Sequence, residues 1–201
     1  MHMKETLRCF CENEIEFEYA DSVDLTEEVI NSILAGEFMS VQCSACKRTL
    51  KPEFPVFLKS NEKKYSIYLV PENQRNHYIA GKYSVKTDAS RIVIGYRELV
   101  EKIKIFEKEL DDRVIESIKY YFLEKTDVDD VKIRIFLQDV REKDFVFHIH
   151  GLKKDEIGIT KTNRLLYEKI AGDIEAKIKE KPYSLFLTPP YVSVQNITFE
   201  G

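Results

Sequence analysis

Four cysteines lie within the first 46 residues of this 201-residue chain, as Cys9-x-Cys11 and then, after a gap of 31 residues, Cys43-x-x-Cys46. Thiolate is the favoured ligand of structural zinc, which takes four donors at the corners of a tetrahedron. Two close pairs suit that geometry. Each pair fits one tight turn, and the intervening segment has only to bring two turns together. The pattern therefore predicts a structural zinc site on Cys9, Cys11, Cys43 and Cys46. A closed four-thiolate site leaves no coordination position for water or substrate, so zinc catalysis is not expected there. Two buried, unligated thiol pairs are one alternative. A redox switch through Cys43 and Cys46 is another, although no thioredoxin-like strand–helix–strand pattern surrounds them.

Other residues could do chemistry. His148 and His150 are two apart in a predicted strand and so share a face, a spacing that suits a second metal site. No convincing third ligand follows in sequence, since Asp144 or Asp155 would need the fold to bring them near, and a polar strand face carrying two histidines is the plainer reading. His77 stands alone in a polar stretch and reads as a solvated loop residue. Asp111-Asp112 reads as a helix cap, because adjacent helical residues diverge by about 100°. Asp127, Asp129 and Asp130 form an acidic turn without the central Gly and regular oxygen spacing of a calcium loop. With 7 Gly in all, the chain has no phosphate-cradling Gly-rich loop, and it has no nucleophile elbow or zinc-protease helix. Tyr120, Tyr121 and Phe122 are adjacent, and three consecutive aromatics cannot all face one core. Tyr120 and Tyr121 are therefore candidates for an interface between the two parts of the chain or between subunits, with core packing as the alternative.

The elements that must position these residues can be read from periodicity. Ile15, Phe17 and Tyr19 alternate with Glu14, Glu16 and Glu18, which predicts a half-buried strand. Asp24 and Glu27 have the spacing of a capping box opening a helix with Val29, Ile30, Ile33 and Leu34 on one stripe, stopped at Gly36. A short strand over 38–41 leads to Cys43, and residues 47–58 return as an edge or irregular strand limited by Pro52 and Pro55. Residues 65–70 alternate as a strand, 71–90 read as loop or joint, and 91–95 as a short strand. Leu99, Ile103, Phe106 and Leu110 predict a helix, and Val114, Ile118 and Phe122 a second one after Asp111-Asp112. Residues 131–137 and 145–150 read as an antiparallel hairpin. An amphipathic helix is expected over 162–181. Two short strands are expected over 183–187 and 191–194. Met1-His2 reads as an addition ahead of Met3.

The expected fold class is α+β. A zinc-ribbon-like β module with one helix occupies 1–90, and a helical and antiparallel-sheet part occupies 91–201. With 43% hydrophobic residues the chain can build a core. Lys and Arg number 31 against 35 Asp and Glu, and the net charge is −4. Nucleic acid is therefore not an expected partner, since phosphate binding favours basic excess. Apolar runs fall far short of the roughly 18–20 residues of a membrane span. The N-terminal residues lack a signal-peptide core, so a cytoplasmic location is expected, where disulfides are rare.

The ordered set Cys9-Phe10-Cys11, strand, helix to Leu34, Ala35-Gly36-Glu37-Phe38, Cys43-Ser44-Ala45-Cys46 and Val70-Pro71 resembles the bacterial CpXC domain family. Residues 91–99 with Glu101-Lys102-Ile103 and Asp111-Asp112-Arg113 are similar to that family's C-terminal part, so the similarity spans roughly residues 7–125. The family's Cys-Pro-x-Cys form is replaced by Cys9-Phe10-Cys11. In the second pair Ser44 stands where Pro is usual and Lys47 where Gly is common. The resemblance implies a zinc-binding module of unassigned function and supplies no catalytic residue. The expected function is a zinc-stabilised scaffold or interaction module, with a protein partner or self-association. The alternatives are an enzyme with a site near His148 and His150, and a thiol-based metal or redox sensor.

Overall fold

In a computed structural model, residues 2–125 and 133–197 are described. The chain is α+β and forms two units, Met1–Val100 and Glu101–Gly201.

In the first unit, strand β1 (His2–Arg8) pairs antiparallel with β2 (Glu14–Ala20), so His2 and Met3 belong to the fold. One bend residue separates β2 from β3 (Ser22–Asp24). Helix α1 (Glu27–Ala35) follows, and then the two-residue strands β4 (Val41–Gln42) and β5 (Thr49–Leu50) pair as a second hairpin. Next come β6 (Val56–Ser60), β7 (Tyr65–Val70), the short helix α2 (Arg75–Ile79) and β8 (Arg91–Ile94). The sheet order is β3-β6-β7-β8, with β3 parallel to β6 and β7 parallel to β8. A parallel pair needs a long crossover. The β3–β6 crossover contains α1 and the whole second hairpin.

Helix α1 is capped by Thr26, whose hydroxyl accepts from the Val29 N–H at 3.3 Å. Asp24 is not the cap, because it is still paired in β3. Gly36 ends the helix in the left-handed region at φ 75°, as the sequence indicates. Ile33 joins Val56, Leu58, Ile67, Leu69 and the β8 residues in the core. Strand β6 is central rather than an edge, since Pro55 falls just before it and removes no ladder donor. The 71–90 stretch contains a 3-10 turn and α2 because Arg75 is drawn into the interior. Its guanidinium donates to Glu98 at 2.8 Å, to Glu72 and to the Ile94 carbonyl. Glu53 accepts from the backbone N–H of Glu72 and of Tyr96.

The two units divide within α3 (Gly95–Glu107), and β8 lies in the first unit's sheet. In the second unit α4 (Asp112–Glu124) is capped by Asp111, whose carboxylate accepts from the Arg113 N–H at 2.9 Å. Strands β9 (Arg134–Val140), β10 (Asp144–His150) and β11 (Ile157–Asn163) form an antiparallel sheet in the order β11-β10-β9. The expected hairpin is β9–β10. Strand β11 occupies the start of the predicted helix. Its half-buried positions are Gly158, Thr160 and Thr162 while Ile157 and Ile159 are exposed, so hydrophobicity does not mark its inner face. Helix α5 (Arg164–Lys177) begins only after it, capped by Asn163. The two expected C-terminal strands are instead α6 (Tyr183–Phe186) and a 3-10 turn at Val194–Asn196. There the packing of Phe186 and Val194 into the core overrides local β preference.

This second core also encloses charge. Lys119 lies between Glu101 and Glu116, at 2.7 Å from each. Glu101 also accepts from the Leu137 N–H and Glu116 from the Val194 N–H. Lys102 pairs with Asp112 at 2.8 Å and donates to the Val192 carbonyl. Desolvation raises the Glu101 pKa against the pull of Lys119. Burial opposes the Lys119 ammonium, but the two carboxylates outweigh it and raise its pKa.

Two substitutions test these constraints by urea unfolding. Gly95 has φ 78°, and a Cβ there would strike the Glu72 carboxylate. Gly95→Ala is expected to cost ~1–3 kcal/mol, while no loss of stability would refute the constraint. Lys119→Met leaves two carboxylates uncompensated and is expected to cost ~3–5 kcal/mol, part of which Glu101→Gln in the same chain should restore.

Candidate metal centre

The four cysteines sit on the tips of two hairpins. In the first, the Cys9 N–H donates to the Asn13 carbonyl and the Glu12 N–H to the Cys9 carbonyl, both at 2.9 Å. Glu12 takes a left-handed conformation at φ 67°. This is the three-residue hairpin loop built from a turn and a left-handed bulge residue. In the second, the Cys43 N–H donates to the Arg48 carbonyl at 2.8 Å and the Lys47 N–H to the Cys43 carbonyl at 2.9 Å. Here Lys47 is the left-handed residue, at φ 61°. The one-residue spacer is thus accommodated by a loop one residue shorter, and both pairs sit on closed turns.

Aromatic packing and chain path bring the two tips together. Tyr19 and Phe17 of β2 stack on Phe54, with ring centroids 4.2 and 5.9 Å apart. Phe54 lies in the segment leaving the second hairpin. The β3–β6 register sets the length of the crossover that carries that hairpin.

All four sulfurs lie within 4.8 Å of one another. Cys9 and Cys46 sulfurs are 3.6 Å apart, as are those of Cys11 and Cys43. A tetrahedral site with Zn–S bonds of about 2.3 Å has sulfurs ~3.8 Å apart, so the donor set fits zinc. A disulfide needs about 2.05 Å, and the four cysteines are free. Cys9 and Cys43 are buried, whereas Cys11 and Cys46 are exposed.

Electrostatics splits the four thiols. The backbone N–H groups of Cys46 and Ala45 point at Cys43 and outweigh desolvation, bringing its thiol down to about 6. The Asn13 N–H favours the Cys11 thiolate, but the neighbouring thiols of Cys46, Cys9 and Cys43, together with desolvation, push it up to about 11. Four sulfurs this close do not all ionise without a cation. A bound dication removes that conflict and leaves a formal charge of −2 on the centre. The Asn13 side chain approaches Cys43 Sγ at 3.7 Å and donates to Ser44.

Sequence reasoning missed Glu12, Asn13 and Lys47. The available signal was positional, since a hairpin loop requires a left-handed residue just after the second cysteine. Lys47 was noted only as a replacement for Gly.

The remaining candidates stand apart from this centre. His148 and His150 share a face of β10 with ring centroids 6.4 Å apart. Among the described residues no third His, Cys, Asp or Glu joins them at ligating distance, and the four-cysteine cluster is the group that meets it. His77 lies exposed on α2. Asp111 and Asp112 diverge, one to the cap and one to Lys102. Tyr120 is half-buried, with its ring packed on Tyr183 and Phe186 at 5.4 and 5.3 Å. Phe122 meets Phe147 edge-on, and Tyr121 alone is exposed, with Lys125 over its ring. Asp127, Asp129 and Asp130 lie outside the described residues. No helix among the described residues is long and apolar enough to cross a membrane.

A family model described as CpXC protein matches residues 7–119. A relative from Treponema pallidum (strain Nichols), carrying the name "uncharacterized protein", is 25% identical over 213 aligned positions, covering 95% of this chain and 97% of the relative. No solved structure matches.

A left-handed lysine is strained by about 1 kcal/mol relative to glycine. Lys47→Gly is therefore expected to raise stability by ~0.5–1 kcal/mol, and Lys47→Val to lower it. Equal midpoints for the two variants in urea would show that φ at this position carries no strain.

Proposed function

We infer, for a chain that belongs to the CpXC protein family, that Cys9, Cys11, Cys43 and Cys46 form a structural zinc centre in a scaffold or protein-interaction module. The observation that carries this is the convergence of four sulfurs from two separate hairpins within 4.8 Å. Thiolates select zinc among the abundant divalent cations of oxygen-rich sites. All four positions of a tetrahedron are taken, so the metal has no place for a substrate. Its contribution is to join the hairpins, the second of which, with its two-residue strands β4 and β5, is too short to hold alone. Metal binding and local folding are then one equilibrium, since the ligands converge only in the folded state.

Two features support an interaction role over a catalytic one. The site is closed, and Cys11 and Cys46 at its tip are exposed. Phe10 is 85% exposed between the two cysteines of the first loop, with the Arg48 guanidinium 5.0 Å from its ring centre. An exposed aromatic held by a cation is the kind of anchor that protein interfaces use. The partner is a protein or a second copy of the chain, in the cytoplasm.

Elemental analysis of reduced protein purified without chelator is expected to find one zinc per chain. Cys43→Ser should lose the metal and unfold the hairpin region. A folded wild-type chain without metal would refute the structural role.

A further inference from the structure

The two sulfur–sulfur contacts at 3.6 Å both run across the hairpins. Cys9 faces Cys46 and Cys11 faces Cys43. In each contact one cysteine is a buried residue and the other an exposed one. Cys11 and Cys46 are the exposed residues, and each has a buried partner whose sulfur lies within about one bond length of disulfide distance. We propose that the centre is also a peroxide-oxidation site that closes as two cross-hairpin disulfides, Cys9–Cys46 and Cys11–Cys43. The metal-release half of this proposal rests on the zinc reading above, whereas the pairing does not.

The chemistry balances with hydrogen peroxide as the oxidant. One thiolate of each pair attacks one peroxide oxygen, the O–O bond breaks and hydroxide leaves, giving a sulfenic acid. The facing thiolate then attacks that sulfur. The S–O bond breaks, a second hydroxide leaves and the S–S bond forms. Each pair gives two electrons to one peroxide, so the whole centre consumes two peroxides and yields four hydroxides. The four thiolates that would hold a zinc ion are consumed in the two disulfides, so the dication would be released.

Geometry favours the crossed pairing over links within a hairpin. The turn hydrogen bonds at Cys9 and Cys43 hold each loop from within, and the sulfur pairs in contact at 3.6 Å are the crossed ones. Crossed links also join residues 37 and 32 positions apart, so they tie the same two hairpins that the metal joins. Oxidation would then exchange one staple for another and leave the region folded. Links within each hairpin would leave the two tips unconnected once the metal has gone.

The test uses the full chain, reduced and loaded with one equivalent of zinc. It is treated with hydrogen peroxide beside a chromogenic zinc chelator, alkylated and digested without reduction. The expected result is zinc in the chelator, about two peroxides consumed per zinc, and peptides that join the 9/11 region to the 43/46 region. Dithiothreitol should then restore four thiols. The Cys11→Ser chain should form Cys9–Cys46 and leave Cys43 as the alkylated residue. Separate Cys9–Cys11 and Cys43–Cys46 loops, or sulfinic and sulfonic acids without disulfide, would overturn the proposal. The same digestion on metal-free reduced protein separates the two ideas. Crossed links in a chain that never binds zinc defeat the zinc reading alone, and uncrossed links in a chain that does bind zinc defeat the pairing alone.

Discussion

Four sulfur atoms within 4.8 Å of one another are the constraint to which the N-terminal half of the first unit is fitted. Thiols tolerate such proximity, but thiolates repel. The backbone helps only in part. N–H groups aimed at Cys43 favour its charge, while the same crowding pushes Cys11 the other way. A bound dication would resolve this conflict, because the sulfurs already stand near tetrahedral separation. The local folding follows from the need to deliver them. Each pair sits on a closed hairpin loop, and a non-glycine residue in each loop accepts a left-handed conformation to close it. The Phe54 stack and the crossover between β3 and β6 then place one hairpin tip beside the other.

The second unit answers a different problem in a different way. Its core is large and apolar, yet it encloses Glu101, Lys102, Asp112, Glu116 and Lys119. These groups pair with each other and with backbone groups of Leu137, Val192 and Val194. Among the described residues no buried side-chain nitrogen or oxygen is left without a partner. Removing two charges from water is costly, and such a network specifies geometry more than it adds stability. Here it fixes the path of the segment after α5, which among the described residues has no long helix or strand of its own.

Much of this was legible residue by residue. The cysteine spacing, the β2 alternation, the Gly36 stop, the Asp111 cap and the β9–β10 hairpin are local signals, and local physics produces them. What failed had non-local causes. Thr26 rather than Asp24 caps α1 because Asp24 is claimed by a strand partner. Strand β11 hides its inner face behind glycine and threonine. Tyr183–Phe186 is helical because Tyr120 and the core receive its aromatic rings. Asp112 looked like a cap residue, but it is a buried ion-pair partner of a lysine ten positions earlier.

The sequence by itself determined which atoms were available for chemistry: four sulfurs, in two pairs, each pair short enough to share a turn. It also determined that each pair would be presented on a loop, because turn preference is set by near neighbours. Which sulfur faces which, and which cysteines are buried, only the tertiary structure decided. Those relations depend on strand register and on ring stacking between segments more than 30 residues apart. The free energy of such contacts belongs to pairs of distant residues, and neither member of a pair carries the information alone.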